Sequence, residues 1–158
     1  MRSEMEVNHA VEEYADMVRR VCFCHLKNQA DTEDVFQNVF LKYMLSDIPF
    51  SDREHEKAWL LRVTINSCKD LLKSFFRRNT VPLEMIKEMQ AEVPEDHREV
   101  LEAVLSLSDK YKDVVYLHYY EGYSAAEIGR MLKISETAVT TRLKRGRDTL
   151  RHILDDEE

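Results

Sequence analysis

Apolar residues recur three or four positions apart along most of this chain, and long runs of strict alternation are absent. In the first half the repeat includes Val7, Val11, Tyr14 and Val18, and it starts again at Val35. Spacings of three and four place side chains on one face of an α-helix, whereas side chains of a strand alternate every second residue. Glycine and proline, which interrupt helices, number only three each in 158 residues. The pattern predicts an all-α protein.

Start and stop signals divide the first half into three helices. The first is predicted to end near residues 27–28, and the second to begin where Asp31 or Thr32 supplies an N-cap. Residues 46–50 contain a proline and interrupt the second helix. A third, longer helix is expected to follow this interruption.

The third helix carries a row of polar and basic side chains. Its start is predicted at Ser51 and Glu54, which stand at the spacing of a capping box, and its end at residues 75–78. Four positions at spacings of four, three and four share one face: Arg62, Asn66, Lys69 and Lys73. Cations on such a face can follow phosphates, and an amide can hydrogen-bond a base edge. Trp59, by contrast, is interpreted as a core residue.

The second half ends in two short helices joined by a tight turn. Ser124 and Glu127 stand at the spacing of a capping box for the first of these helices, and Ser135 is the predicted N-cap of the second. The second helix then repeats small or apolar residues at spacings of four, three and four: Val139, Leu143, Gly146 and Leu150. Upstream of this pair, Ser108 is predicted to cap a further helix.

The opposite face of the last helix is polar and basic. An amphipathic core helix with a solvated face would explain the apolar stripe, but not why that face is cationic in an acidic protein. A cationic helix held on a small scaffold fits the major groove of B-DNA. The candidate contacts are Thr137, Thr140, Thr141, Arg142, Lys144, Arg145 and Arg147. We expect Lys144 or Arg145 to read base edges, with Arg142 and Arg147 on phosphates.

Charge is distributed unevenly along the chain. The net charge is −7, yet residues 57–79 and residues 130–151 each carry +5. Two basic faces in an acidic body predict two nucleic-acid contacts, with acidic surfaces left for protein partners. Residues 79–97 contain two prolines and are net acidic, so they are interpreted as a flexible linker between domains at residues 1–78 and 98–154.

Other chemistries find little support in the sequence. No nucleophile and base pairing, phosphate-binding glycine loop or metal-ligand set is recognisable, so neither an enzyme nor a cofactor is predicted. Cys22 and Cys24 lie in a predicted helix, where they would point about 200° apart and could not easily share a zinc ion. No apolar run reaches the roughly 18 residues of a membrane span, and no signal core is present. A cytoplasmic protein with reduced thiols is expected.

Three segments, taken in order, resemble the bacterial sigma factors of the extracytoplasmic-function (ECF) class, which are two-domain members of the sigma-70 family. Residues 31–40 (DTEDVFQNVF) are similar to the region-2.2 helix, which docks on the clamp coiled coil of the polymerase β′ subunit. Residues 58–70 (AWLLRVTINSCKD) are similar to the regions that melt and read the −10 element. Residues 124–147 are similar to the region-4 helix-turn-helix that reads the −35 element. Each motif alone is weak, but their order and spacing together are specific.

The resemblance implies a specificity subunit that binds core RNA polymerase and directs initiation at promoters with −10 and −35 elements. Contacts are expected with the β′ clamp coiled coil and the β flap. The exposed side of the second helix supplies the candidate polymerase contacts Asp34, Gln37, Asn38 and Lys42. The polar row of the third helix would contact the −10 element, with the loop at residues 46–54 near a flipped base.

The resemblance also implies an anti-sigma factor, often tethered to a membrane, that could hold the chain at the inner membrane face. No small-molecule substrate is expected. Two alternatives remain at this point: a free-standing helix-turn-helix regulator, which would dimerise to read two half-sites, and a sigma-like adaptor that binds polymerase but not DNA.

A few positions depart from the usual pattern of the family. Lys133 stands where the turn commonly has glycine, so a positive φ would carry a cost there. Gly129 and Gly146 stand where alanine is usual, which is expected to loosen both helices. Thr140 stands where a basic residue is common, which leaves the exact −35 sequence open.

Overall fold

A computed structural model describes residues 1–75 and 103–156, and every regular element in these two stretches is helical. The all-α prediction is therefore confirmed. The chain divides into two compact units, Met1–Met89 and Gln90–Glu158. The predicted linker at residues 79–97 and the predicted helix end at residues 76–78 lie outside the described residues.

The first unit contains three long helices, each of which packs against the other two. They are α1 (Glu4–Leu26), α2 (Gln29–Leu45) and α3 (Arg53–Phe75). Their shared core consists of side chains from all three helices that are almost fully buried: Ala10, Val18, Cys22, Val39, Leu60, Leu61, Ile65 and Cys68. Val18 of this core belongs to the apolar repeat of the sequence, whereas Val7 and Val11 of the same repeat are half-buried.

The N-terminus of α2 differs from the prediction. Asn28 is the N-cap, and its side-chain oxygen accepts a hydrogen bond from the Asp31 backbone N–H at 2.8 Å. Thr32 lies inside the first turn, where its hydroxyl donates to the Asn28 carbonyl at 2.7 Å. The prediction that Asp31 or Thr32 caps α2 was therefore wrong. Asn, Asp and Thr are all good caps, so their identities alone could not select among three neighbouring candidates.

The start of α3 also differs from the prediction. The carboxylate of Asp52 accepts a hydrogen bond from the His55 backbone N–H at 2.8 Å, which is the N-cap geometry. The Ser51 backbone N–H instead donates to Nδ1 of the His55 ring at 3.1 Å. The predicted capping box of Ser51 and Glu54 was wrong by one residue, because Asp52 caps the helix in its place.

The second unit is built around its last helix. Residues 103–106 are helical, and α4 (Asp109–Val115) runs directly into a π-helical segment, Tyr116–Tyr120. The helices α5 (Ala125–Leu132) and α6 (Glu136–Asp156) follow, and α6 packs against both α4 and α5. The buried core of this unit includes Val114, Leu117, Ile128, Val139 and Leu143.

In the second unit, the helix caps lie at the predicted residues. Ser124 and Glu127 form the predicted capping box, in which each side chain accepts a hydrogen bond from the other residue's backbone N–H, at 3.2 and 3.1 Å. The Ser135 hydroxyl accepts from the Ala138 backbone N–H at 3.0 Å, as predicted for the N-cap of α6. Ser108 is the N-cap of α4 as predicted, although its side chain makes no capping hydrogen bond.

The tight turn between α5 and α6 depends on two backbone features. Lys133 adopts φ 60° and ψ 45°, the positive φ expected for this position, and its N–H donates to the Gly129 carbonyl. A Cβ on Gly129 would lie 2.8 Å from the Ile134 carbonyl oxygen, which is too close for any side chain. Gly129 was expected only to loosen its helix. In the structure it allows the turn to fold back against α5.

Candidate nucleic-acid interface

The outward face of α6 presents the predicted DNA contacts together. Residues on this face that are exposed to solvent are Thr137, Thr140, Thr141, Lys144, Arg145 and Arg147. Arg142 is half-buried, while Val139, Leu143 and Gly146 on the opposite face are buried. The apolar stripe thus fixes the rotation of α6 about its axis, and this rotation turns the polar and basic side chains outward.

Two cations lie at the centre of this face. Within the described part of the chain, neither Lys144 nor Arg145 has a carboxylate within salt-bridge distance. The Thr140 hydroxyl donates to the Thr137 carbonyl at 2.9 Å, so its oxygen lone pairs stay available to accept. Unpaired cations beside small hydroxyl side chains are suited to guanine acceptors and to phosphates.

Arg147 has a partner that the sequence did not reveal. One of its terminal nitrogens donates to the Tyr119 hydroxyl at 3.0 Å, across 28 positions of the chain. Tyr119 belongs to the π-helical segment, is 54% exposed, and makes an edge contact with the His118 ring. Helical periodicity could not predict this contact, because a π turn shifts the following side chains around the helix axis. Tyr119 restricts the orientations that Arg147 can take at the edge of the α6 face.

The polar row on α3 faces away from the core of the first unit. Asn66 and Lys73 are exposed, and Arg62 and Lys69 are half-buried. The other side of α3 is buried, with Leu60 and Ile65 at 0% and 1% exposure. A helix places the four predicted residues on one face, as their spacing requires.

Trp59 belongs to the core, as interpreted from the sequence. It is 9% exposed, and its ring packs against Phe50 at 5.7 Å and Tyr43 at 6.2 Å between ring centroids. The Tyr43 hydroxyl donates to a Glu56 carboxylate oxygen at 2.9 Å. Burial, followed by the bond to Glu56, raises the pKa of Tyr43 to about 12. This aromatic cluster lies where the segment between α2 and α3 meets the start of α3.

On the outward face of α2, the predicted polymerase contacts Asp34, Gln37 and Asn38 are exposed. Lys42 is also exposed, but its ammonium donates to the Ser67 hydroxyl of α3 at 3.3 Å. Leu41 and Leu45, which were not among the predicted polymerase contacts, are 47% and 58% exposed on this same face. Apolar side chains among polar ones are typical of protein–protein interfaces. The sequence could have indicated that both leucines are exposed, because they lie off the apolar stripe that α2 buries.

Cysteines and metal-ligating groups show no cluster in the described residues. Cys22 and Cys68 are buried, Cys24 is half-buried, and all three are free thiols. No group of three His, Cys, Asp or Glu side chains there could hold a metal ion. None of the described helices is long and apolar enough to cross a membrane.

Two segments of the chain match known families. Residues 10–78 match the family described as Sigma-70 region 2, and residues 97–150 match Sigma-70, region 4. The chain belongs to the sigma-70 family. It is a sigma factor of the ECF class, and its function is to bind RNA polymerase and direct promoter-specific initiation. Sigma factors are initiation factors rather than classical enzymes. The presence of region 2 followed by region 4 in one chain favours this function over a free-standing regulator or an adaptor.

Relatives of this sigma factor carry the same description. It is 29% identical to the ECF RNA polymerase sigma factor SigW of Bacillus subtilis, over 92% of this chain and 87% of the relative. It is 31% identical to the ECF RNA polymerase sigma factor SigE of Mycolicibacterium smegmatis, over 91% of this chain but 60% of that relative.

Two solved structures share the fold. CnrH, solved in complex with the cytosolic domain of CnrY, has a TM-score of 0.72 and 22% identity, covering 99% of this chain and 92% of CnrH. The sigma factor RpoE, solved in complex with the anti-sigma factor NepR from Bartonella quintana, has a TM-score of 0.72 and 14% identity, covering 97% of this chain and 99% of RpoE.

Proposed function

We propose that this sigma factor divides promoter recognition between its two units. Residues 1–78 form the domain that binds core polymerase and the −10 element, and residues 98–154 form the domain that binds the −35 element. Residues 79–97 link them. The family matches over residues 10–78 and 97–150 support these boundaries.

Recognition of the −35 element is assigned to α6 in the major groove. The observation that carries this assignment is the exposed pair Lys144 and Arg145, which lies beside Thr141 and has no carboxylate partner among the described residues. All three side chains are held outward by the buried Val139 and Leu143. Lys144 or Arg145 reads base edges, where each good contact is worth about 1–3 kcal/mol of discrimination. Arg142 and Arg147 bind phosphates and set the register of the helix.

Melting of the −10 element is assigned to α3 and to the segment before it. Arg62, Lys69 and Lys73 follow the phosphates of one strand, and Asn66 contacts a base. The loop predicted at residues 46–54 ends at residue 52, because α3 begins at Arg53, and residues 46–52 lie near an extruded base. Binding energy that is available only when the strands separate shifts the equilibrium towards the open complex, because unpaired bases are then held by the protein.

Run-off transcription tests this function. Purified core polymerase with this sigma factor should initiate on promoter fragments, and core polymerase alone should not. An Asn66→Ala protein should still bind core polymerase but lose permanganate reactivity of unpaired thymines in the −10 region. Normal melting by that protein would contradict the role of Asn66, whereas failure of the wild-type protein to support any initiation would contradict the function itself.

Docking on core polymerase is assigned to the outward face of α2, which meets the β′ clamp coiled coil, with the second domain on the β flap. Leu41 supports this assignment, because an exposed leucine among Asp34, Gln37 and Asn38 offers an apolar anchor within a polar surface.

An Asp34→Ala, Gln37→Ala protein should pull down less core polymerase while its far-UV helicity is unchanged. A protein with Glu12→Ala and Asp16→Ala, two exposed changes on α1, is the matched control and should bind normally. Equal binding by both double variants would rule out the α2 face as the docking site.

A protein inhibitor is the proposed regulator. Both solved structures that share the fold hold a protein partner, and the partner of the sigma factor RpoE is named as an anti-sigma factor. Such a partner would cover the α2 and α6 faces and could keep the sigma factor at the inner membrane face. The site of action is the cytoplasm, where polymerase and promoter DNA are found.

A further inference from the structure

Arg2 makes a set of contacts with the segment that joins α2 to α3. Its backbone N–H donates to the Met44 carbonyl in the last turn of α2 at 2.7 Å. Its Nε donates to the Ser46 hydroxyl at 3.3 Å, and a terminal nitrogen donates to the Ile48 carbonyl. One side chain near the start of the chain thus bonds to both ends of a three-residue stretch that lies more than 40 positions away.

The Arg2 guanidinium also lies over two aromatic rings. It is 4.7 Å from the centroid of Tyr43 and 4.6 Å from that of Phe50, and these two rings are nearly parallel, with 4° between their planes. The side chain is only 13% exposed, so these cation–π contacts are largely desolvated and stronger than at an open surface. A planar guanidinium can stack and donate hydrogen bonds at once, which a lysine ammonium cannot do.

Besides Arg2, an exposed ion pair holds the middle of this segment, in which the Met1 ammonium donates to a carboxylate oxygen of Asp47 at 2.7 Å. Asp47, Ile48 and Pro49 are exposed, so their side chains contribute little apolar burial. Phe50 is the apolar contact at the far end, where it packs on Trp59 and on the edge of the His55 ring. Segments with few buried apolar contacts open readily. The bonds from Arg2 therefore contribute much of what stabilises the conformation of residues 46–50.

We propose that Arg2 is a positioning residue that holds residues 46–52 in the conformation presented to the −10 element. This inference rests on the proposed function, which places that segment near an extruded base. Arg2 is not a DNA contact itself, because its cation is already covered by two rings and lies 3.3 Å from a Glu6 carboxylate oxygen. A segment ordered in advance loses less conformational freedom when DNA binds, so more of the contact energy remains for melting.

Hydrogen exchange of the full-length protein tests the positioning. Amides at residues 46–52 should exchange about 10-fold faster in Arg2→Ala, the scale set by losing a stacked, charge-assisted contact. Arg2→Lys keeps the charge without the planar fork and should lie between Arg2→Ala and wild type. Glu6→Gln removes only the ion pair and should match wild type. Unchanged exchange in Arg2→Ala would overturn the proposal. If Arg2→Ala does not fold, exchange in Arg2→Lys is compared with wild type instead, and unchanged exchange there would likewise overturn it.

Open-complex formation with core polymerase tests the consequence for promoters. On the −10 sequence that the wild type melts best, Arg2→Ala should open DNA about 10-fold more slowly, and its preference over singly substituted −10 sequences should shrink. Affinity for core polymerase and for a −35 duplex should not change. Faster exchange with unaltered melting on every −10 sequence would show that Arg2 orders the segment but that the segment does not lie at the promoter. That outcome would contradict the proposed role of this segment in melting, but not the contacts of Arg2 with it. The melting activity of Asn66→Ala tests the role of α3 independently.

Discussion

Two lysines in this protein adopt a conformation that usually belongs to glycine. Lys27 and Lys133 end α1 and α5 at φ 59° and 60°, and each donates its N–H to a carbonyl four residues earlier. The positive φ of Lys133 could be predicted, since glycine is common at that position of the resembling turn. The need for Gly129 could not, because it follows from a 2.8 Å approach to the Ile134 carbonyl that only the folded turn creates.

Replacing Lys133 with glycine should therefore stabilise the second unit. The left-handed conformation costs an L-residue about 1–2 kcal/mol. Glycine removes this strain, but its greater freedom in the unfolded chain offsets about half of the gain in stability. Thermal unfolding followed by circular dichroism should show a higher midpoint for Lys133→Gly. Lys133→Ala removes the same side chain but keeps Cβ, so it should not gain stability. Equal midpoints for the two variants would exclude backbone strain as the cause.

The raised pKa of Tyr43 predicts that the folded protein loses stability at alkaline pH. Burial and the bond to Glu56 raise its pKa to about 12, and burial raises the pKa of Tyr14 to about 12 as well. A raised pKa means that the neutral phenol is favoured in the folded state, so this contribution is complete below pH 10 and is lost as the pH rises towards 12.

The urea midpoint of wild type should consequently fall more steeply between pH 9 and pH 11.5 than that of Tyr43→Phe. Tyrosinate absorbance should also lose part of its late-titrating fraction in the variant. Parallel stability curves for the two proteins would mean that Tyr43 titrates normally.

At the scale of elements, the sequence predicted which faces are buried better than where helices begin. The stripes that bury Val18, Leu60 and Val139 were legible because burial repeats along a whole helix. The cap of α2 was misplaced by three or four residues and that of α3 by one, since several capping residues stand close together and the chain path selects one. The π-helical segment was not predicted at all, and with it the bond from Arg147 to Tyr119 was missed.

Within α6, two arginines should respond differently to removal. Arg145→Ala should cost about 1–3 kcal/mol on the preferred −35 sequence and relax preference at one base pair. Arg147→Ala should weaken all −35 variants alike and flatten the dependence of affinity on salt concentration. Fluorescence anisotropy with a panel of −35 duplexes at several salt concentrations separates the two effects.

Tyr119→Phe is the matched control, because it removes one hydroxyl and leaves the Arg147 charge in place. It should produce a smaller uniform loss than Arg147→Ala. An equal loss of affinity on every duplex for Arg145→Ala would contradict its base-reading role.

At the scale of the whole molecule, two stretches of an acidic protein are net basic, namely residues 57–79 and residues 130–151. Net charge −7 with two stretches of +5 explains how a sigma factor can bind promoter DNA without adhering to any nucleic acid it meets. This division was predictable from the sequence, as was the order of the two sigma regions. The residue contacts with polymerase and DNA stay predictions, because they depend on partners as well as on this chain.

Control by a separate inhibitor predicts that the isolated chain is fully active. Deleting residues 155–158, or changing Glu84, Glu88 and Glu92 to glutamine, should barely alter run-off transcription with purified core polymerase. Acidic segments could in principle cover the basic faces, but screening at physiological salt weakens such contacts beyond about 8 Å. A large gain of transcription in either variant would place the inhibition within this chain.

The aromatic cluster beside the α2–α3 segment has a practical consequence. Trp59 is the only tryptophan of the chain, and its ring lies 5.7 Å from that of Phe50. Its emission therefore reports on one place in the molecule, the contact between the segment and the start of α3. A red shift would mean that water has reached the indole because Phe50 has moved away. The chain thus contains its own optical probe, with which stopped-flow mixing with single-stranded −10 DNA, which has no tryptophan, could time the movement of this segment without any attached dye.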